Sequence, residues 1–143
     1  MRWINEPREG RPSIRVMLQA LPPRPTVVLV DDDTALRTAL KFSLEIEGYQ
    51  VEACESGEEL LAAKLPTSRA CLVLDYNLGG MDGLAALTEL RRRGVNLPAL
   101  LITSHPRLTV RLGAEHAHAK IVEKPLLGDA LLGEIHTALA SAS

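Results

Sequence analysis

The chain has 143 residues, a net charge of −2 and a composition that is 46% hydrophobic and 24% charged, which points to one globular domain. That balance gives no electrostatic case for nucleic-acid binding; no apolar run approaches a membrane span, the N-terminus lacks the apolar segment of a secretory signal, and two cysteines, Cys54 and Cys71, are too few for a disulfide framework. Aromatics make up only 3%, so the core must be built of Leu, Val, Ile and Ala, a palette suited to helices on a buried parallel sheet, and a reducing cytoplasm is the simplest compartment.

Charge is unevenly spread. Residues 1–25 carry five Arg against two Glu, while the remainder carries 11 Lys and Arg against 16 Asp and Glu. Five of the nine prolines fall at or before Pro25, and Pro22, Pro23 and Pro25 should hold the backbone extended. This sets an N-terminal extension, 1–25, apart from a domain, 26–143. Within the extension Ile14, Met17, Leu18 and Leu21 have helical spacing, with Ser13 as a cap. The segment is expected to be either a flexible tail or a short amphipathic helix, and a helix this short is marginal without packing.

Thr26 to Val30 reads as a first strand and ends in acids. Thr34 to Glu47 reads as a helix stopped by Gly48, and Gln50 to Cys54 as a second strand. Ser56 and Glu59 make a capping box for a helix to about Leu65. Ala70 to Leu74 is a third strand, apolar throughout as a central parallel strand should be, with Cys71 a buried thiol in it. Leu84 to Arg93 is a helix closed by Gly94, and Arg91, Arg92 and Arg93 complement its dipole. Leu97 to Ile102 is a fourth strand, Leu108 to Ala117 a helix, Lys120 to Glu123 a fifth strand, and Leu127 to Ala140 a terminal helix. The alternation predicts an α/β fold: a doubly wound, five-stranded parallel sheet with five helices. The chain stops just after the fifth helix, so no output domain is expected.

In open parallel sheets ligands bind beyond the carboxyl ends of the strands. Asp31 and Asp32 follow the first strand, Asp75 the third, Thr103 and Ser104 the fourth, and Lys124 the fifth. Clustered carboxylates repel and need a cation. Hard oxygen ligands suit Mg²⁺, which binds one or two carboxylates plus a phosphate. Lys124 would supply a second positive charge and Thr103 a hydroxyl donor. An aspartate carboxylate is a known nucleophile for phosphoryl transfer.

The segment from Val27 to Asp33 resembles the opening of response-regulator receiver domains. Leu72 to Gly83 resembles their phosphorylation-site strand and loop, Leu101 to Ser104 their switch-threonine strand, and Val122 to Pro125 their lysine-proline turn. The resemblance covers about 26–140 and implies a flavodoxin-like receiver fold. It implies Asp75 as phosphoacceptor, Asp31 and Asp32 as the Mg²⁺ acids, Asn77 as a metal ligand through its backbone carbonyl, Lys124 as phosphate-binding lysine and Thr103 as switch hydroxyl. A cis Lys124–Pro125 bond is expected with it. The implied activity is phosphoacceptance in a two-component phosphorelay. The implied partners are a sensor histidine kinase or histidine phosphotransfer protein, with signalling by protein contact and no nucleic acid or membrane.

Three features depart from the family's pattern. Ile121 stands where Tyr or Phe is usual, which removes the aromatic half of the switch. Gly79 stands where Pro is common and should loosen its loop. Pro106 and Gly113 should make the helix after the fourth strand irregular.

The competing readings are a receiver-shaped interaction module that works without phosphorylation, favoured by Ile121, and a haloacid-dehalogenase-type phosphatase. The enzyme reading fails at Ala35, where those proteins place Thr or Val, and the chain is expected not to be an enzyme. Asp33 reads as a helix cap, and His116 and His118 as loop histidines, too few for a metal site.

Overall fold

The computed structural model describes residues 10, 12–20, 23–126 and 129–142. Leu21 and Leu127, both assigned to helical patterns above, lie outside them. In chain order the elements are α1 (Ile14–Ala20), β1 (Thr26–Val30), α2 (Thr34–Ile46), β2 (Gln50–Cys54), α3 (Gly57–Ala62), β3 (Ala70–Asp75), α4 (Gly83–Arg92), β4 (Ala99–Thr103), α5 (Leu108–His116), β5 (Ala119–Glu123) and α6 (Ala130–Ser141). The five strands form one parallel sheet in the order β2-β1-β3-β4-β5. The predicted doubly wound sheet is present, with five helices wound on it and α1 as a sixth in the extension.

Strand alternation divides the core in two. Val28, Val30, Leu72, Leu74 and Leu101 pack with Leu60, Ala86, Leu87, Leu90, Val110 and Ala114 of α3, α4 and α5. Val27, Leu29, Cys71, Val73, Leu100 and Ile102 pack on the other face with Leu44 of α2 and Leu131 and Ile135 of α6. Both faces are therefore covered, which is why β1, β3 and β4 are buried at every position and apolar except at their ends, Thr26, Asp75 and Thr103. Each fully buried Leu or Val contributes about 2 kcal/mol relative to exposure.

Helix starts follow their caps. Asp33 accepts from the Leu36 amide at 3.1 Å and Asp82 from the Ala85 amide at 2.7 Å, so the expected capping role of Asp33 holds. Ser56 accepts from the Glu59 amide at 3.0 Å, and Glu59 reaches back to the Glu55 amide at 3.3 Å, one residue upstream of the box's usual partner. Gly48 and Gly94 end α2 and α4 at φ +98° and +88°, angles that L side chains rarely adopt. In the extension the Val16 amide donates to Ser13 Oγ at 3.2 Å, the expected cap of α1.

Several boundaries differ from expectation. Helix α3 stops at Ala62 rather than Leu65, and Ala63 is already extended (ψ 151°), three residues ahead of Pro66. Strand β4 begins at Ala99 because Pro98 has no amide to pair, although its carbonyl still accepts from the Leu72 amide at 2.8 Å. Helix α5 is regular, correcting the expected irregularity. Pro106 lies outside it, and at Gly113 an added Cβ would stand 2.6 Å from Leu84 Cδ2, so the glycine lets α5 close on α4.

Arg91 also requires correction. Its guanidinium does not lie free at the helix end. It donates to the carbonyls of Val95 (2.8 Å), Leu97 (2.7 Å), Ala117 (2.8 Å) and His118 (3.2 Å), tying α4 to the segments that open β4 and β5. Arg92 and Arg93 instead face Glu89, whose carboxyl is held low, at about 2, chiefly by its hydrogen bond from Arg92.

Candidate functional site

The chain reverses its direction of winding between β1 and β3, and in such sheets the crevice beyond that switch point takes the ligand. The register Val30 opposite Leu74 brings the residues after both strands to one edge. Asp31, Asp32 and Asp75 each offer a carboxylate oxygen there, all three atoms within 4.8 Å of one another. Lys124 Nζ lies 3.1 Å from Asp75 Oδ2. The Lys124 amide donates to the Thr103 carbonyl at 2.8 Å, which fixes the lysine's backbone beside the end of β4, and Lys124–Pro125 is cis as expected.

Burial sorts these groups. Asp31, Asp75 and Thr103 are buried, Asp32 is exposed, and Lys124 is intermediate. Asp31 and Asp75 are held by backbone: the Asp33 amide donates to Asp31 Oδ1 at 2.9 Å, and the Asn77 amide to Asp75 Oδ1 at 3.1 Å. Asp32 Oδ2 accepts from the Gly79 amide at 3.2 Å, so the loop expected to be loosened by Gly79 is tied back to β1. Burial pushes the Asp31 carboxyl above its ordinary range. The Asp33 amide opposes that shift, the Asp75 charge adds to it, Lys124 opposes it and Asp32 adds again.

Three carboxylates thus face one ammonium, leaving a net of two negative charges when all are ionised. A hard divalent cation matches that charge and an all-oxygen donor set. His116 and His118 take no part. Among the described residues the three aspartates are the only group of metal-ligating side chains brought together. The thiols are inert as well, pushed up by burial to about 11 for Cys54 and about 12 for Cys71.

A family model for the response regulator receiver domain matches residues 27–136. The chain belongs to the response regulator receiver family. It is similar to the transcriptional regulatory protein FixJ of Azorhizobium caulinodans, 33% identical over 118 residues that cover 79% of this chain and 54% of FixJ. It is equally similar to DctD of Pseudomonas aeruginosa, a C4-dicarboxylate transport transcriptional regulatory protein, 33% identical over 114 residues that cover 79% of this chain and 25% of DctD. The receiver therefore spans about half the length of FixJ and a quarter of DctD. Among solved structures, a CheY-like receiver domain protein from Methanospirillum hungatei aligns with a TM-score of 0.76 at 26% identity, covering 83% of this chain and 96% of that one. The FixJ-N crystal structure aligns with a TM-score of 0.72 at 29% identity, covering 83% and 95%.

Two residues to which the sequence assigned no role help to build the receiver's acid edge. Arg37 Nη1 donates to the Asp31 carbonyl at 2.7 Å, bracing the acid from the first turn of α2. Gly83 opens α4 against β3, and a Cβ there would stand 2.3 Å from the Asp75 carbonyl oxygen. The sequence signal for Gly83 was its place at the end of the Leu72–Gly83 segment that resembles the family's phosphorylation-site strand and loop, with no role assigned to it. No helix among the described residues is long and apolar enough to cross a membrane.

Proposed function

We propose that this receiver accepts a phosphoryl group on Asp75 in an Mg²⁺-dependent step and passes the signal on by protein contact. The observation that carries the reading is the convergence of Asp31, Asp32, Asp75 and Lys124 on one sheet edge. Response regulators receive phosphoryl groups from histidine kinases, so the donor here is a sensor histidine kinase or a histidine phosphotransfer protein. In the transfer an Asp75 oxygen forms a bond to phosphorus as the P–N bond of the donor's phosphohistidine breaks, and the imidazole leaves to take up a proton from solvent. The chain catalyses its own modification and is otherwise a signalling domain, not an enzyme.

Asp31, Asp32, the Asp75 carboxylate and the Asn77 carbonyl would hold the Mg²⁺, which supplies charge neutralisation between Asp75 and the incoming phosphoryl oxygens. The Asn77 amide orients the Asp75 carboxylate through its 3.1 Å contact. Lys124, already 3.1 Å from Asp75, has further N–H donors for the phosphoryl oxygens. Thr103, at the end of β4, supplies the hydroxyl that follows the new group. These residues leave the signal to exit as a surface, through α5 and β5 beside Thr103 and Lys124.

Incubation with a small phosphodonor and Mg²⁺ should add one phosphoryl mass to the wild-type chain and none to Asp75→Asn, read by intact mass. Equal uptake by both, or none by either, would sink the reading. A second prediction concerns Asp31. Its raised carboxyl binds a proton more tightly folded than unfolded, so its stabilising contribution is complete below the unfolded value of 3.8 and is lost as pH rises through the folded one. At neutral pH without Mg²⁺, Asp31→Asn should therefore melt higher than wild type. The wild type should gain from added Mg²⁺ and the variant should gain less. An unchanged Mg²⁺ response in the variant would remove Asp31 from the metal site.

A second reading, a module that works without phosphorylation, is favoured by Ile121. This half-buried aliphatic side chain of β5 packs against the core cluster that includes Val110 and Ala114 of α5, and it has no ring to swing between two positions. Under that reading the phosphodonor adds no phosphoryl mass to Asp75, and the amide signals of α5 and β5 stay where they are.

A further inference from the structure

Helix α1 has seven residues and buries none of them. Ile14, Met17 and Leu18 share one face by their i, i+3, i+4 spacing, and they are 76%, 54% and 62% exposed. A helix this short does not hold itself in water, and its stability has to come from packing an apolar face. The chain therefore carries an amphipathic segment that needs a cover.

An apolar trough of matching character lies at the end of the sheet away from the acids. One lobe, about 260 Å³, is bounded by Pro25, Ala70, Leu139 and Ala142. It runs on past Leu97 and Pro98, which both lobes share, into a lobe of about 500 Å³ floored by Ala99, Leu100 and Ala138. The second lobe is open because α6 presents small side chains, Thr137, Ala138 and Ser141, toward β4. The charged groups on its walls are already engaged: Lys120 pairs with Glu134 at 2.7 Å, and Arg91 donates to backbone carbonyls.

The extension enters the domain at this trough. Pro25 is part of its wall. Arg69, on the same rim, donates to the Pro23 carbonyl at 2.8 and 3.2 Å, so the linker is held there. The six residue steps from Ala20 to Thr26 reach about 20 Å at full extension, and a tether this short gives a local concentration in the mM range. A separate chain at ordinary concentrations competes poorly with that.

We propose that α1 is a strap that closes over this trough, seating Ile14, Met17 and Leu18 between α6 and the opening turns of β3 and β4. The strap braces the sheet end opposite the acid edge. It acts whether or not Asp75 is phosphorylated.

Thiol cross-linking in the full chain tests this, since the native thiols are buried and poorly ionised. With oxidised glutathione added as the oxidant, Met17→Cys with Thr137→Cys should form an intramolecular disulfide at a rate independent of protein concentration, two glutathione thiols leaving for each bond formed. That rate should be about 100-fold above the same two thiols on separate chains at ~10 μM. The control is Met17→Cys with Phe42→Cys, which probes an exposed apolar ridge of α2 as the alternative seat. Faster closure of the control pair, a bond that forms only between chains, or no bond at all would each overturn the strap. Independently, the full-length Met17→Ser/Leu18→Ser variant should raise amide exchange at residues 96–100 and 137–142, and unchanged exchange there would also overturn it.

Discussion

Replacing Arg91 with alanine should lower the unfolding free energy by about 3 kcal/mol, a large share of the 5–15 kcal/mol of an ordinary domain. Its guanidinium donates to four carbonyls, on Val95, Leu97, Ala117 and His118. Three of these bonds are part-buried, and the fourth, to His118, is exposed and should count for little. Burial also disfavours the charge and lowers the guanidinium's proton affinity, so the gross hydrogen-bond gain is partly offset. Truncation loses the bonds and leaves the acceptors without them, which is the costly half of the exchange. Urea unfolding should show a midpoint lower by about 1.5–2 M at a slope of ~1.5–2 kcal/mol per M, with the slope unchanged. Arg91→Met retains the stem's packing and should recover only a minor part. Arg92→Ala, at the adjacent position but solvated beside Glu89, should leave the midpoint where it is. A midpoint for Arg91→Ala within error of the Arg92→Ala value would show the clamp to be idle.

That contrast also marks what was legible in the chain. The run Arg91-Arg92-Arg93 reads as three equivalent cations, because a basic run after an apolar helix looks the same whether its members point to water or to carbonyls. Position relative to β4 and β5 separates them, and that information is tertiary. The acid edge was legible for the opposite reason. Asp31, Asp75 and Thr103 lie at the ends of apolar strands and Lys124 directly follows β5, and parallel topology obliges residues at those ends to share an edge. The strands themselves were nearly error-free because burial on both faces leaves the interiors of β1, β3 and β4 apolar and confines polar residues to their ends, Thr26, Asp75 and Thr103. Boundaries beside prolines were less legible. Pro98 withholds an amide yet keeps its carbonyl in the ladder, so β4 starts two residues later than its apolar run suggests. Gly113 misled in a similar way. Its low helix propensity argued for irregularity, whereas what it supplies is room for Leu84.

Gly83→Ala should have the sharpest effect on the site itself. A Cβ on Gly83 would lie 2.3 Å from the Asp75 carbonyl oxygen, 3.0 Å from its carbonyl carbon and 3.2 Å from Tyr76 Cα. All three atoms are backbone, so no side-chain rotation relieves the contact. Neither partner moves freely. The Gly83 amide donates to the Tyr76 carbonyl at 3.0 Å, and the Tyr76 amide to the Ile102 carbonyl at 2.8 Å, so the start of α4, the end of β3 and β4 are laced together. Alanine's better helix propensity returns less than about 1 kcal/mol, against an overpacking cost of about 3 kcal/mol when backbone must shift. The net expectation is a loss of about 2 kcal/mol, with α4 pushed outward or Asp75 displaced. Displacement would show in chemistry before it shows in stability, since misplacement of a reacting group by about 1 Å can cost about 100-fold in rate. The phosphoryl uptake of folded Gly83→Ala should accordingly fall by at least about tenfold at saturating Mg²⁺. Gly94→Ala is the control. No atom lies within 4 Å of a Cβ there, and its strain comes from φ +88° alone, so it should lose stability while keeping its phosphorylation rate. Equal losses of rate in the two variants would mean that stability, not the approach of α4 to Asp75, sets the chemistry. A rate for Gly83→Ala at the wild-type level would mean that β3 does not yield at Asp75 and that α4 takes up the whole strain.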